Sequence, residues 1–430
     1  MSSSAHLDKK PRGDGPDETK LWELTFAFCD RWKNSTDALG ARNVIAAFYL
    51  LCTLAQNSLH IYPSDETWFA YVGRFLALYV RDTNTATGEA VRLSPFVTGL
   101  LENKPTLKNK VTVRTMAAAD GPSAWAEMIN KDCSKATHEK VPTIIGEDAL
   151  SDPKVELVLL AAEYIQGDWL NKFNTTRTGA PFYGTGEGAP VGKCNMMEYR
   201  DLERSGGGVL LFEGQFCDAV LLQTTKGEGE QKKLTNFYGL VVLPKGEKGK
   251  PTDPEMMEKA AEEIKNNLAA LKTIAANHTR SNAMLEMPRI KQSMKPFELT
   301  DDCQKILPEE LMKPFAINNV TQVERAPGQW QNSPCEVGAV YHSTFLQVHE
   351  TGFEAAAATV IVVYRSLGAA DEEENPKIIR ADRGFLFYLV DLGPQPHVLY
   401  LSRVLDDTGL KDAPKADEKG EKQIIEIPYM

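Results

Sequence analysis

The chain has 430 residues, of which 42% are hydrophobic and 25% charged, ordinary globular usage with enough apolar material for a large core. Its formal charge of −11, from 48 Lys and Arg against 59 Asp and Glu, repels phosphate backbones, and no basic stripe with interleaved aromatics occurs. Composition therefore argues against a nucleic-acid partner, and the longest apolar stretch, Val44 to Ala55, falls short of the roughly 20 residues of a bilayer span and reads as a core helix, so no membrane is expected.

The first twenty residues are polar throughout and carry no secretory pattern, so the expected location is cytoplasmic. Secretion by another route stays open, and only then would the sequons at Asn34, Asn174, Asn277 and Asn319 matter. Seven cysteines lie far apart without a CxxC pair, which suits reduced, buried thiols better than disulfides or a zinc site. Residues 1–18 and 407–430 are charged and aperiodic and are expected to be tails around one domain, 19–406.

In chain order, helical spacing marks Leu21 to Trp32, then a second apolar helix capped by Asn43, then Trp68 to Val80. The glycines of Gly184 to Pro190 have no helix behind them to receive a phosphate, so the segment reads as a loop. Asp253-Pro254 opens a helix expected to run from Glu255 to Ala276, with Glu258, Lys259, Glu262 and Lys265 on its solvated face. Strand patterns cover Val209 to Phe212, Phe216 to Thr224, Phe237 to Leu243, Val337 to His349, Thr359 to Tyr364, Phe385 to Asp391 and His397 to Val404. Early helices followed by many strands, without regular alternation, indicate an α+β fold.

Enzyme chemistry has little to stand on. His138-Glu139 and His349-Glu350 lack the second histidine of a helical zinc site, no G-x-S-x-G elbow occurs, and His342 and His349, seven apart on one expected strand, face opposite sides. No metal and no cofactor is expected.

The informative stretch runs from Val348 to Leu367. Ala355, Ala356, Ala357 and Ala358 favour helix, whereas Val360 to Val363 favour strand. Small side chains let a segment slide between existing strands, and the β-branched run would pair well once inside, as in a strand awaiting insertion. An ordinary central strand is the other reading.

This segment resembles the hinge and reactive loop of the serpins, and further matches follow in order. Residues 379–389 look like the family's C-terminal signature, with Gly384 in place of a usual proline, and Val398 to Val404 its closing strand. Upstream, Gly167-Asp168-Trp169, Phe173, Thr178, Phe182 and Met196-Met197 follow a sheet strand and its turn, Tyr238 to Pro244 the strand ending in Leu-Pro, and Met287 to Ile290 the strand carrying Pro-Lys. The likeness spans about residues 19–406 and is strongest from Ile129 onward.

The resemblance implies a serpin-like fold, several helices around three sheets with an exposed loop at about 350–378, and a monomer that inhibits a serine protease. The protease attacks the loop, and insertion of the cleaved loop traps the acyl-enzyme before it hydrolyses. Arg365 is the residue expected to be presented to a trypsin-like protease, with the cut before Ser366; the family's usual count puts it between Ser366 and Leu367. Asp371 to Glu374 would meet a basic exosite or be a solvated loop. Glu350 corresponds to the hinge glutamate and Arg289 to its basic partner, with Gly352, Phe353 and Glu354 leading into the alanines, Trp169 beneath the opening and His342 lower down. On an inserted strand Phe353 would face inward and Glu354 water.

Two departures weigh against inhibition. An aromatic at Phe353, where inhibitors carry a small residue, is expected to strain insertion by roughly 1 to 3 kcal/mol. At the mid-sheet gate the usual hydroxyls and second asparagine are replaced by Ala47, Phe48, Leu50 and Ala161 after Asn43, leaving His342 to find another partner. The alternative function is a non-inhibitory serpin, an interaction, carrier or chaperone-like protein.

Overall fold

A computed structural model describes residues 20–31, 38–54, 75–104, 107–189, 191–200, 208–226, 233–278, 280–293, 295–306, 317–354 and 376–410. Helix α1 (Lys20–Arg31) lies where the periodicity puts it and buries Trp22, Phe26 and Cys29. After strand β1 (Ala38–Leu39), helix α2 (Ala41–Leu54) starts two residues before Asn43, which therefore sits inside the first turn and does not cap it.

Strand β2 (Phe75–Arg81) overturns the expected helix over Trp68 to Val80, within the residues described. Leu76 and Leu78 face one core with Leu50 and Leu54, while Ala77 and Tyr79 face another with Trp125 and Ile129. A strand buried on both faces has no alternation to read, and a continuous apolar run of that length imitates a helix. Next come β3 (Val91–Leu93), α3 (Pro95–Asn103), β4 (Val111–Met116) and α4 (Gly121–Ala136). Ser94 caps α3 by accepting from the Val97 N–H, and Pro95 occupies its first position.

The long run β5 (Leu157–Ala162) and β6 (Gln166–Trp169) leads to β7 (Asn174–Phe182), β8 (Gly192–Tyr199), β9 (Val209–Glu213), β10 (Cys217–Lys226) and β11 (Lys233–Pro244). The expected helix after Asp253 is two, α5 (Pro254–Asn266) and α6 (Leu268–Asn277), because Asn267 leaves helical geometry and turns its amide onto the Glu263 carbonyl, 2.7 Å away. Asp253 does cap α5, accepting from the Glu255 N–H at 2.9 Å. Glu258 is not simply solvated: it pairs at 2.7 Å with Arg403, which is 1% exposed.

The remaining elements are β12 (Arg280–Ser281), β13 (Ala283–Pro288), β14 (Ile290–Ser293), β15 (Phe297–Glu298), α7 (Thr300–Ile306), β16 (Ile317–Ala326), β17 (Gln329–Cys335), β18 (Tyr341–His342), β19 (Phe345–Val348), β20 (Gly352–Glu354), β21 (Lys377–Arg380), β22 (Phe385–Asp391) and β23 (His397–Val404). The strand expected over Val337 to His349 is confined to Tyr341–His342 and Phe345–Val348, starting four residues late and broken at Ser343 and Thr344, where the Thr344 hydroxyl donates to the Ala38 carbonyl.

The central sheet runs β1-β23-β22-β11-β10-β6-β20-β19-β14, with β9 joined to β10 and β12. Its β10, β11, β22 and β23 core is covered on one face by α1, α2, α5 and α6, and on the other by the sheet β21-β13-β8-β7. A second layer, β4-β2-β5, carries α4 on one face. Beyond β23 the packed chain continues past the expected limit of 406: Leu410 is fully buried and the Gly409 carbonyl accepts from the Lys291 N–H at 2.8 Å. Among the described residues no helix is long and apolar enough to cross a membrane.

Gly384, the residue that departs from the resemblance's usual proline, has a local reason. Its N–H donates to the Gly184 carbonyl at 2.7 Å, a bond proline lacks, and a Cβ there would fall on the Thr185 hydroxyl.

Candidate functional site

β20 follows β19 through a tight turn and lies between β19 and β6, antiparallel to both. Gly352, Phe353 and Glu354 stand opposite Asp168, Gly167 and Gln166, and Val348 and Gln347 face Phe353 and Glu354 from the other side. The start of the hinge is thus a seated interior strand, which corrects the expectation that the whole segment stays outside the sheet.

Its base is fixed by charge and by hydrogen bonds. Arg289, 2% exposed, donates through Nε to Glu350 Oε1 at 2.8 Å and through a second guanidinium nitrogen to the same oxygen. The Glu350 and Thr351 carbonyls accept from the Phe173 and Trp169 N–H groups at 2.8 and 3.0 Å. Trp169 is fully buried, and its indole N–H donates to the His349 carbonyl at 3.0 Å. Burial pushes the His349 imidazole down to about 4, with Glu350 opposing the shift and Arg289 adding to it.

Phe353 does not strain this arrangement. Its ring is 1% exposed and lies 5.4 Å from that of Trp169. The opposite residue is Gly167, where a Cβ would come within 2.6 Å of the Phe353 ring, and Gly239 on β11 makes the same room for Trp169. The sequence singles out Gly167 only as part of a matched run and Gly239 not at all, because the space each leaves has meaning only against a facing side chain.

Below β20 the sheet divides. β5 pairs with β2 on one edge, and among the described residues no strand pairs with its other edge. Across from that edge run residues 334–345, and between them lies a cavity of about 740 Å³, backed by Val44, Phe48 and Leu51 of α2 and covered by Ile129 and Cys133 of α4. In the β2–β5 ladder the Arg81 N–H bonds the Glu156 carbonyl, so by alternation Leu157, Leu159 and Ala161 turn their N–H and C=O groups away from β2, into this slot.

The gate residues are found at the slot's back. His342, 3% exposed, accepts at Nε2 from the Gly40 N–H at 3.2 Å, and burial holds its imidazole down to about 4. Ala161 contributes its carbonyl, which accepts from Asn43 Nδ2 at 2.9 Å. Two residues further on, Glu163 pairs with Arg42 at 2.8 Å, both side chains 1% exposed, and Arg42 also meets His397 Nε2 at 3.4 Å. Arg42, Glu163 and Gly40 were not singled out from sequence; isolated charges carry no mark of where they meet. The altered gate is therefore not purely apolar.

Ala355, Ala356, Ala357, Ala358, Arg365, Ser366, Leu367, the expected strand Thr359 to Tyr364 and the acidic run Asp371 to Glu374 lie outside the described residues, as do residues 1–19 and 411–430. Among the described residues no cluster of three or more metal-ligating side chains occurs, and Cys29, Cys133, Cys194, Cys217, Cys303 and Cys335 are free thiols.

A family model described as serpin, serine protease inhibitor, matches residues 107–406. A serpin-like protein of Methanosarcina acetivorans is 23% identical over 68% of this chain, and human antithrombin-III is 23% identical over 64%. These matches span 60% and 52% of the relatives' own lengths. Among solved structures, Serpin48 of the insect Tenebrio molitor superposes with a TM-score of 0.63 at 14% identity, over 92% of this chain and 99% of that one, a likeness of fold.

Proposed function

Because the chain belongs to the serpin family, we propose that it is a serine protease inhibitor that is cut in its reactive loop by a trypsin-like enzyme and traps that enzyme by drawing the loop into the slot between β5 and residues 334–345. The observation that carries this reading is the half-filled slot. The hinge strand is seated at the top, and the edge below it turns the backbone groups of Leu157, Leu159 and Ala161 toward the position of one more strand.

Register supports it further. Each residue along β20 faces one residue earlier along β6, so continuing the same pairing places Ala358 opposite Ala162 and Val363 opposite Leu157. The four alanines would pass the narrow upper part, and the β-branched residues Val360 to Val363 would lie along Leu157 to Leu160. Thr359 would stand opposite both Ala161 and His342. Burying those side chains and pairing the open edge supplies the free-energy drop that makes insertion outrun hydrolysis of the acyl-enzyme. Gly167, by accommodating Phe353, removes the steric objection to inhibition.

The serpin contributes no catalytic group: the protease's serine forms the acyl bond, on the carbonyl of Arg365 in this proposal, where the guanidinium enters an acidic specificity pocket. Incubation with trypsin is expected to give a complex that survives boiling in detergent, with the released C-terminal fragment beginning at Ser366, and Arg365→Ala is expected to abolish it. A fragment beginning at Leu367 would move the bond by one residue. Cleavage without a covalent band would leave the chain a substrate-like, non-inhibitory member.

A further inference from the structure

β14 is the outermost strand of the central sheet: β19 pairs with one of its edges, and among the described residues no strand pairs with the other. The Lys291 N–H points to that open side, toward the Gly409 carbonyl 2.8 Å away. By alternation, Lys291 and Ser293 turn their backbone groups outward while Ile290 and Gln292 address β19. Left bare, such an edge is a template for another strand.

The chain past Val404 covers it, touching both β8 and β14. The Lys193 N–H of β8 donates to Asp407 Oδ2 at 3.2 Å, and Gly192 beside it has no room for a Cβ against the Asp407 side chain. The Thr408 N–H donates to Asp406 Oδ1 at 2.7 Å, and the Leu410 N–H donates to the Asp407 carbonyl at 3.1 Å, closing a four-residue turn. Gly409 stands third in that turn with φ 75°, where a side chain is strained, and a Cβ there would also run into the Lys291 carbonyl oxygen. Leu410 is fully buried and anchors the turn in the core that holds Ile290 and Leu346.

We infer that residues 405–410 are a cap on the edge of β14, and that the partner this edge fits once uncapped is a second copy of the chain. The four residues of β14 are self-complementary. Set antiparallel about Gln292, Lys291 of one copy faces Ser293 of the other, and each such pair exchanges N–H and C=O groups across a two-fold axis. No two lysines stand directly opposite in that register, so charge does not forbid it. Asp407, Gly409 and Leu410 hold the cap in place, and it keeps Lys291 and Ser293 from making those bonds. The cap lies apart from the reactive loop and does not rest on the inhibitory reading.

The test is the mass of the full chain in solution, by sedimentation, between about 1 and about 100 µM. The parent is expected to stay at its 47.6 kDa throughout. Leu410→Asp, which puts a charge in the core, and the milder Gly409→Ala are expected to speed hydrogen exchange at the Lys291 amide about tenfold, as loss of one hydrogen bond dictates. Both are expected to shift reversibly toward twice the parent's mass as concentration rises. Adding Ser293→Pro to either variant removes an outward N–H where an edge strand tolerates proline, and is expected to restore the single-chain mass. A cap with a role in stability alone would lower the urea midpoint, expose the Lys291 amide and leave the mass unchanged; that result overturns the proposal, as does an amide still protected in both variants. Dimers that persist with Ser293→Pro would mean association through the emptied Leu410 socket, and they overturn it too. A parent already dimeric at these concentrations does the same.

Discussion

At the scale of single residues, three buried histidines make the fold sensitive to acid. His342, His349 and His397 are all held below the ordinary imidazole value of 6.5, to about 4, about 4 and about 3, and burial is the leading cause in each. For His397 the Arg42 charge adds to the shift and the Gln395 carbonyl opposes it. A group whose folded pKa is depressed binds protons more readily when unfolded, so its contribution is fully present above about pH 6.5 and is lost as the pH falls toward 4. Each histidine is expected to cost about 1.4 kcal/mol of stability per pH unit in that window. Urea midpoints measured between neutrality and pH 4.5 should fall accordingly, and His342→Gln, whose amide oxygen still accepts from Gly40, should flatten the slope by one histidine's share. An unchanged slope would show that His342 titrates normally.

At the scale of elements, β20 shows how a short strand is held by the absence of atoms. Three residues of ladder are weak by themselves, but Phe353 fills a space kept open by Gly167 and closed by Trp169. Gly167→Ala is expected to expel the Phe353 ring at a cost of about 1–3 kcal/mol, and hydrogen exchange at Gly352 to Glu354 should speed up while β22 and β23 stay protected. Exchange unaltered at the hinge would mean that the ring adjusts in place. The Glu350–Arg289 pair belongs to the same element-scale device, because it ties the turn before β20 to the strand edge at β14. The residue types for that pair were legible beforehand; the carbonyl contacts of Trp169 and Phe173 that complete the turn were not.

For the whole molecule, β5 is an edge strand among the described residues, with the slot beside it. β5 and β6 are one run of chain, yet among the described residues only β6 has a strand neighbour on the slot side. Completing the ladder would convert an open edge and a cavity of about 740 Å³ into packed interior. Protein cleaved in the loop is therefore expected to melt well above the intact protein, by tens of degrees if all of Ala355 to Val363 is taken up, since one domain-wide transition then includes a new central strand. Scanning calorimetry before and after limited trypsin treatment checks this, and equal melting temperatures would mean that the cut loop stays out.

What the sequence by itself determined was the α+β class and the positions of α1, β22 and β23, because helical spacing and alternation are properties of neighbours along the chain. Only the tertiary structure decided that 75–81 is a strand and not a helix, that Phe353 is welcome opposite a glycine, and that Arg42, Glu163 and Gly40 join Asn43, Ala161 and His342 at the back of the slot. Burial on both faces erases periodicity, and close approach between distant residues is set by how layers pack, information that no local stretch of sequence contains.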